Sequence, residues 1–152
     1  MSGQTVPLNA DQIELLTAAE LAGSRHLYNS LIRYDLEGEI DEALLRERWS
    51  ALQDHVPTLT MRVVDGAAGP ELAPSLQQAP FIFSDRSGQP SSDLDRRLAV
   101  EAARPLDLRR GPLARLVLIM ESARRARLLI VVSHVIADEV SGLLMARALL
   151  EG

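Results

Sequence analysis

The sequence lacks cysteine and lysine, and the absence of cysteine excludes several kinds of site. Without cysteine there can be no disulfide, no thiolate metal ligand and no cysteine nucleophile, which fits a cytoplasmic protein. The 3 histidines are scattered along the chain, so we expect no histidine-ligated metal centre. All 16 basic residues are arginine, which is typical of a GC-rich bacterial genome, and the net charge of −5 argues against a nucleic-acid partner.

A long hydrophobic run is also missing. No segment approaches the ~20 apolar residues that a transmembrane helix needs, and the first residues lack the basic and apolar segments of a secretion signal. We therefore expect a cytoplasmic protein with no membrane partner. What the chain does have is the composition of a globular protein, with 47% hydrophobic and 24% charged residues, in a length that suits a single domain over residues 1–152.

One stretch combines a buried strand with side chains that can carry chemistry. Residues 128–132 are consecutive aliphatic residues and predict a short strand covered on both faces. Ser133 and His134 follow directly, and Asp138 comes four residues after the histidine. A histidine in this place suits a general base, which needs a rigid frame and one ring nitrogen aimed at substrate. Because an ordinary strand-end histidine would give the same pattern, both interpretations stay open.

Helical and strand patterns alternate along the chain and predict a mixed α/β fold. Helices are predicted over residues 9–21, 41–54 and 92–104 and in the segment after Asp138; strands are predicted over residues 26–36, 59–63, 72–76, 80–85, 113–121 and 128–132.

Several side chains have an expected place in these elements. Trp49 lies on the apolar face of its helix and is expected in the core, whereas Glu101 is expected on the outer side of its helix. Val140, Leu143, Leu144 and Leu149 suit a buried final helix. The strand at residues 72–76 is expected at a sheet edge.

The segment after the buried strand resembles a motif of a known family. Residues 133–139, Ser-His-Val-Ile-Ala-Asp-Glu, are similar to the His-His-x-x-x-Asp-Gly signature of the condensation domains of nonribosomal peptide synthetases. These domains belong to the chloramphenicol-acetyltransferase-like superfamily. His134 and Asp138 match the second histidine and the aspartate, whereas Ser133 and Glu139 stand where the family has histidine and glycine.

Other segments resemble further motifs of the same family, in the same order. Residues 101–113 resemble Ala-x-x-Pro-Phe-Asp-Leu-x-x-Gly-Pro-Leu, and residues 8–16 resemble the opening Leu-Ser-x-Ala-Gln-x-x-Leu-Trp. Residues 55–64 are similar to Arg-His-Pro-x-Leu-Arg-Thr-x-Phe. In that segment Thr60 replaces an arginine that is thought to pair with the motif aspartate. Either Arg62 or another arginine therefore reaches Asp138, or the site is more hydrated and looser than in the family.

The resemblance implies the N-terminal half of a condensation domain. The implied fold is an α/β two-layer sandwich, half of a chloramphenicol-acetyltransferase-like fold, with a mostly antiparallel or mixed sheet and helices packed on one face. The family's catalytic tunnel lies between two similarly folded halves. Residues 1–152 would therefore lack the C-terminal subdomain, and we expect a C-terminal half-domain or self-association to complete the site.

The resemblance also implies a chemistry, that of an acyltransferase. His134 would help an amine or an alcohol to attack a thioester carried on the phosphopantetheine arm of a carrier protein. Ser133, Asp138 and Glu139 would support the motif, with Asp138 holding the loop so that the ring faces the tunnel. The chain itself would bind no cofactor, and the carrier protein would be its partner.

Three functions stay open on the sequence. The first is a catalytic half of an enzyme that forms an amide or ester bond, and the O-acyltransferases of the same superfamily are included in it. The second is a catalytically degenerate half-domain that binds a carrier protein or a synthetase module. The third is an α/β domain in which the spacing of His134 and Asp138 is incidental.

Overall fold

The strand that precedes His134 lies inside a four-stranded sheet. The computed structural model describes residues 4–23 and 28–152. Within them, the helices are α1 (Ala10–Leu21), α2 (Glu42–His55), α3 (Ser91–Ala103) and α4 (Glu139–Leu150), and Pro57–Thr60 forms a short 3-10 helix. The strands are β1 (Val6–Pro7), β2 (Asn29–Glu37), β3 (Met61–Gly66), β4 (Gly69–Pro74), β5 (Phe81–Asp85), β6 (Ala114–Ser122) and β7 (Arg125–Ser133).

The strands form two sheets. The larger sheet has the order β2-β7-β6-β5, in which β5 runs parallel to β6 and the other neighbours are antiparallel. In the register of β2 and β7, Asn29 lies opposite Ser133 and Ser30 lies opposite Val132. The smaller sheet has the order β1-β4-β3 and is antiparallel. The large sheet therefore places the end of β7 beside the start of β2.

Both faces of the large sheet are covered by helices. Alternate residues of β7 point to opposite faces, as the pleat of a strand requires. Leu128, Ile130 and Val132 pack in one cluster with residues of α2 and α4. Leu129 and Val131 pack in a second cluster with residues of α3. This double coverage accounts for the continuous aliphatic run of β7, which a strand with a solvent-exposed face would not have.

The predicted mixed α/β fold class is confirmed, but the expected placement of the helices on one face is wrong. Because β6 and β7 are apolar at both odd and even positions, a single helical layer would leave half of these side chains in water. The chain covers the second face with α3. The predicted edge strand near residue 72 is also wrong: β4 is the middle strand of the small sheet, because the two-residue strand β1 pairs with its outer side.

Helix α2 has the boundaries and the core face that its sequence predicts. Asp41 caps its first turn, where the carboxylate accepts the N–H of Leu44 at 2.9 Å. Trp49 is 1% exposed, which confirms its predicted place in the core. Its indole Nε1–H donates to the carbonyl oxygen of Ala79 at 2.8 Å, so the buried nitrogen keeps a partner.

Glu101 was expected on the outer side of α3 and is instead 4% exposed. Its carboxylate lies 3.0 Å from Arg97 and 2.8 Å from Arg104. The guanidinium of Arg115, on β6, reaches the end of α3 and donates to the carbonyl oxygens of Glu101 and Arg104. Burial, together with the charge of Arg104, lowers the pKa of Arg115 to about 10, while the charge of Glu101 opposes this change. A cationic group from the sheet thus caps the C-terminus of α3.

The start of the second strand cannot be compared in full with its prediction. β2 begins at Asn29, whereas the predicted strand began at residue 26. His26 lies outside the described residues.

Candidate active site

His134 is the first residue after β7, and its ring is exposed. Its backbone N–H donates to the carbonyl oxygen of Tyr28 at 2.9 Å. This bond extends the pairing of β2 and β7 by one residue beyond Asn29 and Ser133. The backbone that carries the imidazole is therefore held by the sheet, while the ring itself remains open to solvent.

The imidazole lies next to the hydroxyl of Ser30. Ser30 Oγ is 3.2 Å from Nδ1 and 3.1 Å from Nε2 of His134. Ser30 is 9% exposed, so its hydroxyl is on the inner side of the ring. This arrangement gives His134 the two features of a general base, a fixed backbone and an accessible ring.

Ser133, which stands where the family has its first histidine, is a structural residue of the turn. It is 1% exposed. Its carbonyl oxygen accepts the N–H groups of Ile136 and Ala137, and its hydroxyl accepts the N–H of Val135 at 3.3 Å. These bonds turn the chain from β7 toward α4.

Asp138 lies at the other end of this turn and caps α4. Its Oδ1 accepts the backbone N–H of Ser141 at 2.8 Å and the hydroxyl of Ser141 at 2.7 Å. These hydrogen bonds lower the pKa of Asp138, and the nearby charge of His134 makes a smaller contribution in the same direction. The expected role of Asp138 in holding the loop thus has a structural counterpart in the N-cap of α4.

An arginine partner for Asp138 is not found among the described residues. Arg62 Nε instead donates to the carbonyl oxygen of Pro74 at 3.4 Å. Thr60, which replaces the family's arginine, donates its hydroxyl to the carbonyl oxygen of Pro57 at 3.0 Å. Asp138 is exposed, so water can solvate its carboxylate. Arg62 is therefore not the partner of Asp138 in this structure.

Glu139 is the first residue of α4 and is exposed. A negative charge in the first turn of a helix is favourable because the helix dipole is positive there. Glu139 therefore fits its position as a helix-start residue.

The segments that resemble the family's other motifs meet at the same turn. Gln12 of α1 completes a capping box with Asn9, and its side-chain amide donates to the carbonyl oxygen of Val135 at 2.7 Å. The carbonyl oxygen of Leu113 accepts the N–H of Ser133 at 2.9 Å. Leu113 in turn donates its N–H to the carbonyl oxygen of Leu59 at 3.1 Å. Three distant parts of the chain thus fix the residues on either side of His134.

An apolar groove of about 250 Å³ lies beside this turn, between α2 and α4. Its walls are mostly aliphatic and include Leu52, Val56, Leu59, Ile136, Leu144 and Met145. Ser141, the partner of Asp138, lines the groove as well. The groove therefore places an apolar surface close to the N-terminus of α4.

The outer face of α4 contradicts its prediction. Val140, Leu143 and Leu144 were expected in the core and are 62%, 51% and 59% exposed. Leu149 is buried, as predicted, and the rest of the buried face of α4 is formed by smaller or more flexible residues, Gly142, Met145 and Ala146. Helix α4 thus presents an apolar row to solvent next to the candidate site.

In residues 4–23 and 28–152, no cluster of three or more His, Cys, Asp or Glu side chains could hold a metal ion. Among the helices of these residues, none is both long and apolar enough to cross a membrane.

Two contacts of His134 could not be expected from its own motif. Ser30 and Tyr28 lie more than 100 positions away in the chain and approach His134 only because β2 pairs with β7. The one available signal was a serine at an inward position of a strand whose other inward residues are large, such as Ile32 and Tyr34.

Comparisons with known proteins agree with this architecture. The family model described as "Condensation domain" matches residues 2–152. One of the subunits of the linear gramicidin synthase of Brevibacillus parabrevis is 30% identical over 138 residues, which are 88% of this chain and 2% of that protein.

Solved structures of condensation domains have the same fold. The starter condensation domain of the rhizomide synthetase superposes with a TM-score of 0.85 at 20% identity, over 96% of this chain and 36% of that one. The first condensation domain of the calcium-dependent antibiotic synthetase gives a TM-score of 0.84 at 22% identity, over 96% and 36% of the two chains. The chain thus spans about a third of the length of these solved domains.

These matches confirm the predicted fold, and the family model covers nearly every residue of the sequence. The chain belongs to the condensation-domain family of the nonribosomal peptide synthetases.

Proposed function

We propose that this chain is the N-terminal half of a condensation domain, a single domain over residues 1–152 that needs a C-terminal half to complete its site. In this proposal His134 promotes the transfer of an acyl group from a carrier-protein thioester to an amine or an alcohol. One observation carries the proposal: the His134 backbone is fixed at the end of a buried strand, while its ring is exposed.

The proposed reaction needs one proton acceptor. The nitrogen of the amine attacks the thioester carbonyl, a carbon–nitrogen bond forms, and the carbon–sulfur bond breaks as the tetrahedral intermediate collapses. His134 takes the proton of the attacking amine and returns it to the departing sulfur, so that the phosphopantetheine thiol leaves in neutral form. The ring also stabilises the charge of the intermediate while it carries the proton.

The proposed supporting roles follow from the contacts of each residue. Asp138 holds the N-terminus of α4 through Ser141 and does not transfer a proton. Ser133 fixes the turn through its buried carbonyl and hydroxyl oxygens. Glu139 adds a favourable charge to the first turn of α4. His134 is then the single proton-transfer group that this half contributes.

The need for a second half is supported by the surface of α4. The exposed row of Val140, Leu143 and Leu144 continues into the apolar groove between α2 and α4, since Leu144 belongs to both. A contiguous apolar surface of this kind marks an interaction site. We propose that a C-terminal condensation half-domain, or a second copy of the chain, covers this surface.

The proposed substrate partner is a carrier protein, with its phosphopantetheine arm as the substrate arm. The family of the chain supports this partner, because the resemblance to condensation domains implies a substrate carried on such an arm. No cofactor is proposed for the chain itself.

A second candidate is a half-domain that binds a carrier protein or a synthetase module without chemistry. It is favoured by the surroundings of Asp138, which has no arginine partner among the described residues, and by the serine at position 133. In this alternative the fold and the partner surface are retained, and the reaction is lost.

Acyl transfer by the reconstituted domain distinguishes the two candidates. The chain would be mixed with a C-terminal condensation half-domain, an acyl-phosphopantetheinyl carrier protein and an amine acceptor, and amide formation would be followed by mass spectrometry. The catalytic candidate predicts turnover by the wild-type chain and its loss in His134→Ala. The matched control is His55→Ala, which removes an exposed histidine from α2 and should leave turnover unchanged.

A binding titration completes the test. A half-domain without chemistry would keep its affinity for the carrier protein in both variants and show no turnover in the wild type. Turnover that survives in His134→Ala would refute the proposed role of His134.

A further inference from the structure

The side-chain amide of Gln12 joins the start of α1 to the turn that carries His134. Its Oε1 accepts the backbone N–H of Asn9 at 3.0 Å, and its Nε2 donates to the carbonyl oxygen of Val135 at 2.7 Å. An amide has one end that accepts and one end that donates, so these two contacts fix which end faces which partner. Gln12 therefore connects two parts of the chain that are 123 positions apart.

The contact with Val135 accounts for the presence of a glutamine at position 12. A capping box takes glutamate or glutamine as its fourth residue, because either side chain can accept the N–H of the N-cap residue. Glutamate would in addition suit the first turn of a helix, where the helix dipole favours a negative charge. A carboxylate, however, has no N–H group to offer to the Val135 carbonyl oxygen. The neutral amide thus matches the need for a donor rather than the needs of the helix.

The Val135 carbonyl oxygen needs this donor because it is buried. Val135 is 1% exposed, and its side chain packs with Leu16 of α1 and with Leu113 in one apolar cluster. Gln12 Nε2 is the donor that the described residues offer to its carbonyl oxygen. A buried carbonyl group that loses its donor is unfavourable, so the backbone around it would move toward water or another donor. Loss of the Gln12 amide should therefore disturb the backbone next to His134.

His134 and Val135 are the two central residues of a tight turn. The carbonyl oxygen of Ser133 accepts the N–H of Ile136 at 3.0 Å, which closes a β-turn around them. The peptide unit between Val135 and Ile136 is thus held at both of its polar groups. Gln12 binds its carbonyl oxygen, and Ser133 binds its N–H group. Fixing this peptide unit fixes the shape of the turn, and with it the direction in which the His134 side chain leaves the backbone.

We propose that Gln12 is a positioning residue, which holds the His134 turn through the hydrogen bond from its amide to the Val135 carbonyl oxygen. The inference rests on the proposed function of His134. Gln12 acts on the backbone that follows the imidazole, whereas the carbonyl oxygen of Tyr28 holds the backbone N–H of His134 itself. The direction of the ring toward the attacking amine then depends on α1 as well as on the large sheet.

The test measures kcat and KM for acyl transfer in the chain reconstituted with a C-terminal half-domain. Gln12→Met and Gln12→Glu both remove the N–H donor, and only the second adds a charge. Each variant should lower kcat by about 10-fold, with KM unchanged within about twofold, because a misplaced base slows the chemical step more than binding.

Two control variants leave the donor in place. Gln78→Glu adds the same charge at an exposed position outside α1. Glu14→Gly weakens α1 itself, because glycine lowers helix propensity at this exposed position. Neither control should change kcat or KM by more than about twofold, since the contact between Gln12 and Val135 is retained in both.

Amide hydrogen exchange in the isolated chain gives a readout that does not depend on activity. The N–H groups of Ile136 and Ala137 both donate to the carbonyl oxygen of Ser133, so their exchange reports on opening of the turn. Both should exchange about 10-fold faster in Gln12→Met than in the wild type, the size expected for one ordinary hydrogen bond. In Glu14→Gly the two rates should stay within about twofold of the wild type. The amide spectrum of each sample checks that the variant is folded.

The outcomes separate this inference from the proposed function. If His134→Ala abolishes transfer but Gln12→Met does not slow it, Gln12 does not position the base. A loss of kcat in Gln12→Glu alone would be an effect of charge and would refute a role for the donor. Equal losses in Gln12→Met and Glu14→Gly would refute it as well, because the stability of α1 would then account for both. If the wild-type chain shows no turnover, the proposed function fails; faster exchange of the Ile136 amide in Gln12→Met would then still support the hold of Gln12 on the turn, and an unchanged rate would overturn it.

Discussion

Gly142 gives the sharpest prediction on how the candidate site is assembled. It lies in the interior of α4 and is buried against β2. A Cβ atom added at this position would lie 2.7 Å from both Cγ1 and Cδ1 of Ile32. Because glycine in a helix is less favourable than alanine by about 1 kcal/mol, its presence here needs a packing reason, and the close approach to Ile32 supplies one.

The expected magnitude follows from two opposing contributions. Gly142→Ala gains about 1 kcal/mol of helix propensity. It loses about 2 kcal/mol by overpacking, the middle of the usual range for an added methyl group in a filled core. We therefore expect the free energy of unfolding to fall by about 1 kcal/mol in the wild-type background.

The second background reverses the sign. Ile32→Ala removes both carbon atoms that the new methyl group would meet, at its own cost of about 2 kcal/mol for a half-buried isoleucine. In this background Gly142→Ala should raise the free energy of unfolding by about 1 kcal/mol. The coupling between the two positions is then about 2 kcal/mol.

Urea denaturation followed by tryptophan fluorescence measures this coupling, because the single tryptophan, Trp49, is buried in the core. Ser50→Ala, an exposed change on α2, serves as the control and should have the same effect in both backgrounds. A Gly142→Ala effect that is equal in the two backgrounds would refute the packing argument.

Two further predictions concern charged groups. The buried guanidinium of Arg115 donates to two carbonyl oxygens and faces Glu101, so Arg115→Met should lower the free energy of unfolding by about 3 kcal/mol. The control, Arg96→Met on the exposed side of α3, should change the free energy of unfolding little. Equal urea denaturation midpoints for the two variants would contradict the buried cap. Because its hydrogen bonds lower the pKa of folded Asp138, that residue contributes stability above the pKa of the unfolded chain, about 3.9, and the contribution disappears as the pH falls through the lower folded value. The stability difference between the wild type and Asp138→Asn should therefore be present at neutral pH and shrink below about pH 4 in urea titrations; a difference that stays constant across this range would contradict the assignment.

Local patterns predicted the elements around the site well. The aliphatic run before Ser133 predicted the strand that is β7. The apolar stripe around Trp49 predicted helix α2 with its cap at Asp41. These predictions succeeded because each depends on a few neighbouring residues whose periodicity or capping chemistry is specific. The position of His134 at the end of a buried strand followed from the same local information.

The features that the sequence mispredicted or did not predict depend on contacts between distant residues. Glu101 lies off the apolar stripe of α3, and its burial depends on Arg115, which reaches it from another element. The Ser30–His134 contact depends on the register of β2 and β7, which no local pattern encodes. The central place of β4 depends on a two-residue strand that is too short to give a periodic signal.

The final helix shows a different kind of error. Val140, Leu143 and Leu144 are apolar, so a prediction from hydrophobicity alone buries them. The face that packs is instead the one that lets α4 approach β2 closely, through Gly142 and Ala146. Exposed apolar residues on a helix next to the candidate site are what the proposed second half-domain would cover.

The most direct test of the account is the single-turnover rate of acyl transfer by His134→Ala in the reconstituted domain, measured with and without added imidazole. If His134 is the proton acceptor, this variant is slower than the wild type by about 100-fold or more. Because the ring that was removed is exposed, free imidazole should restore part of the lost rate. A His134→Ala domain that transfers the acyl group at the wild-type rate would contradict the account.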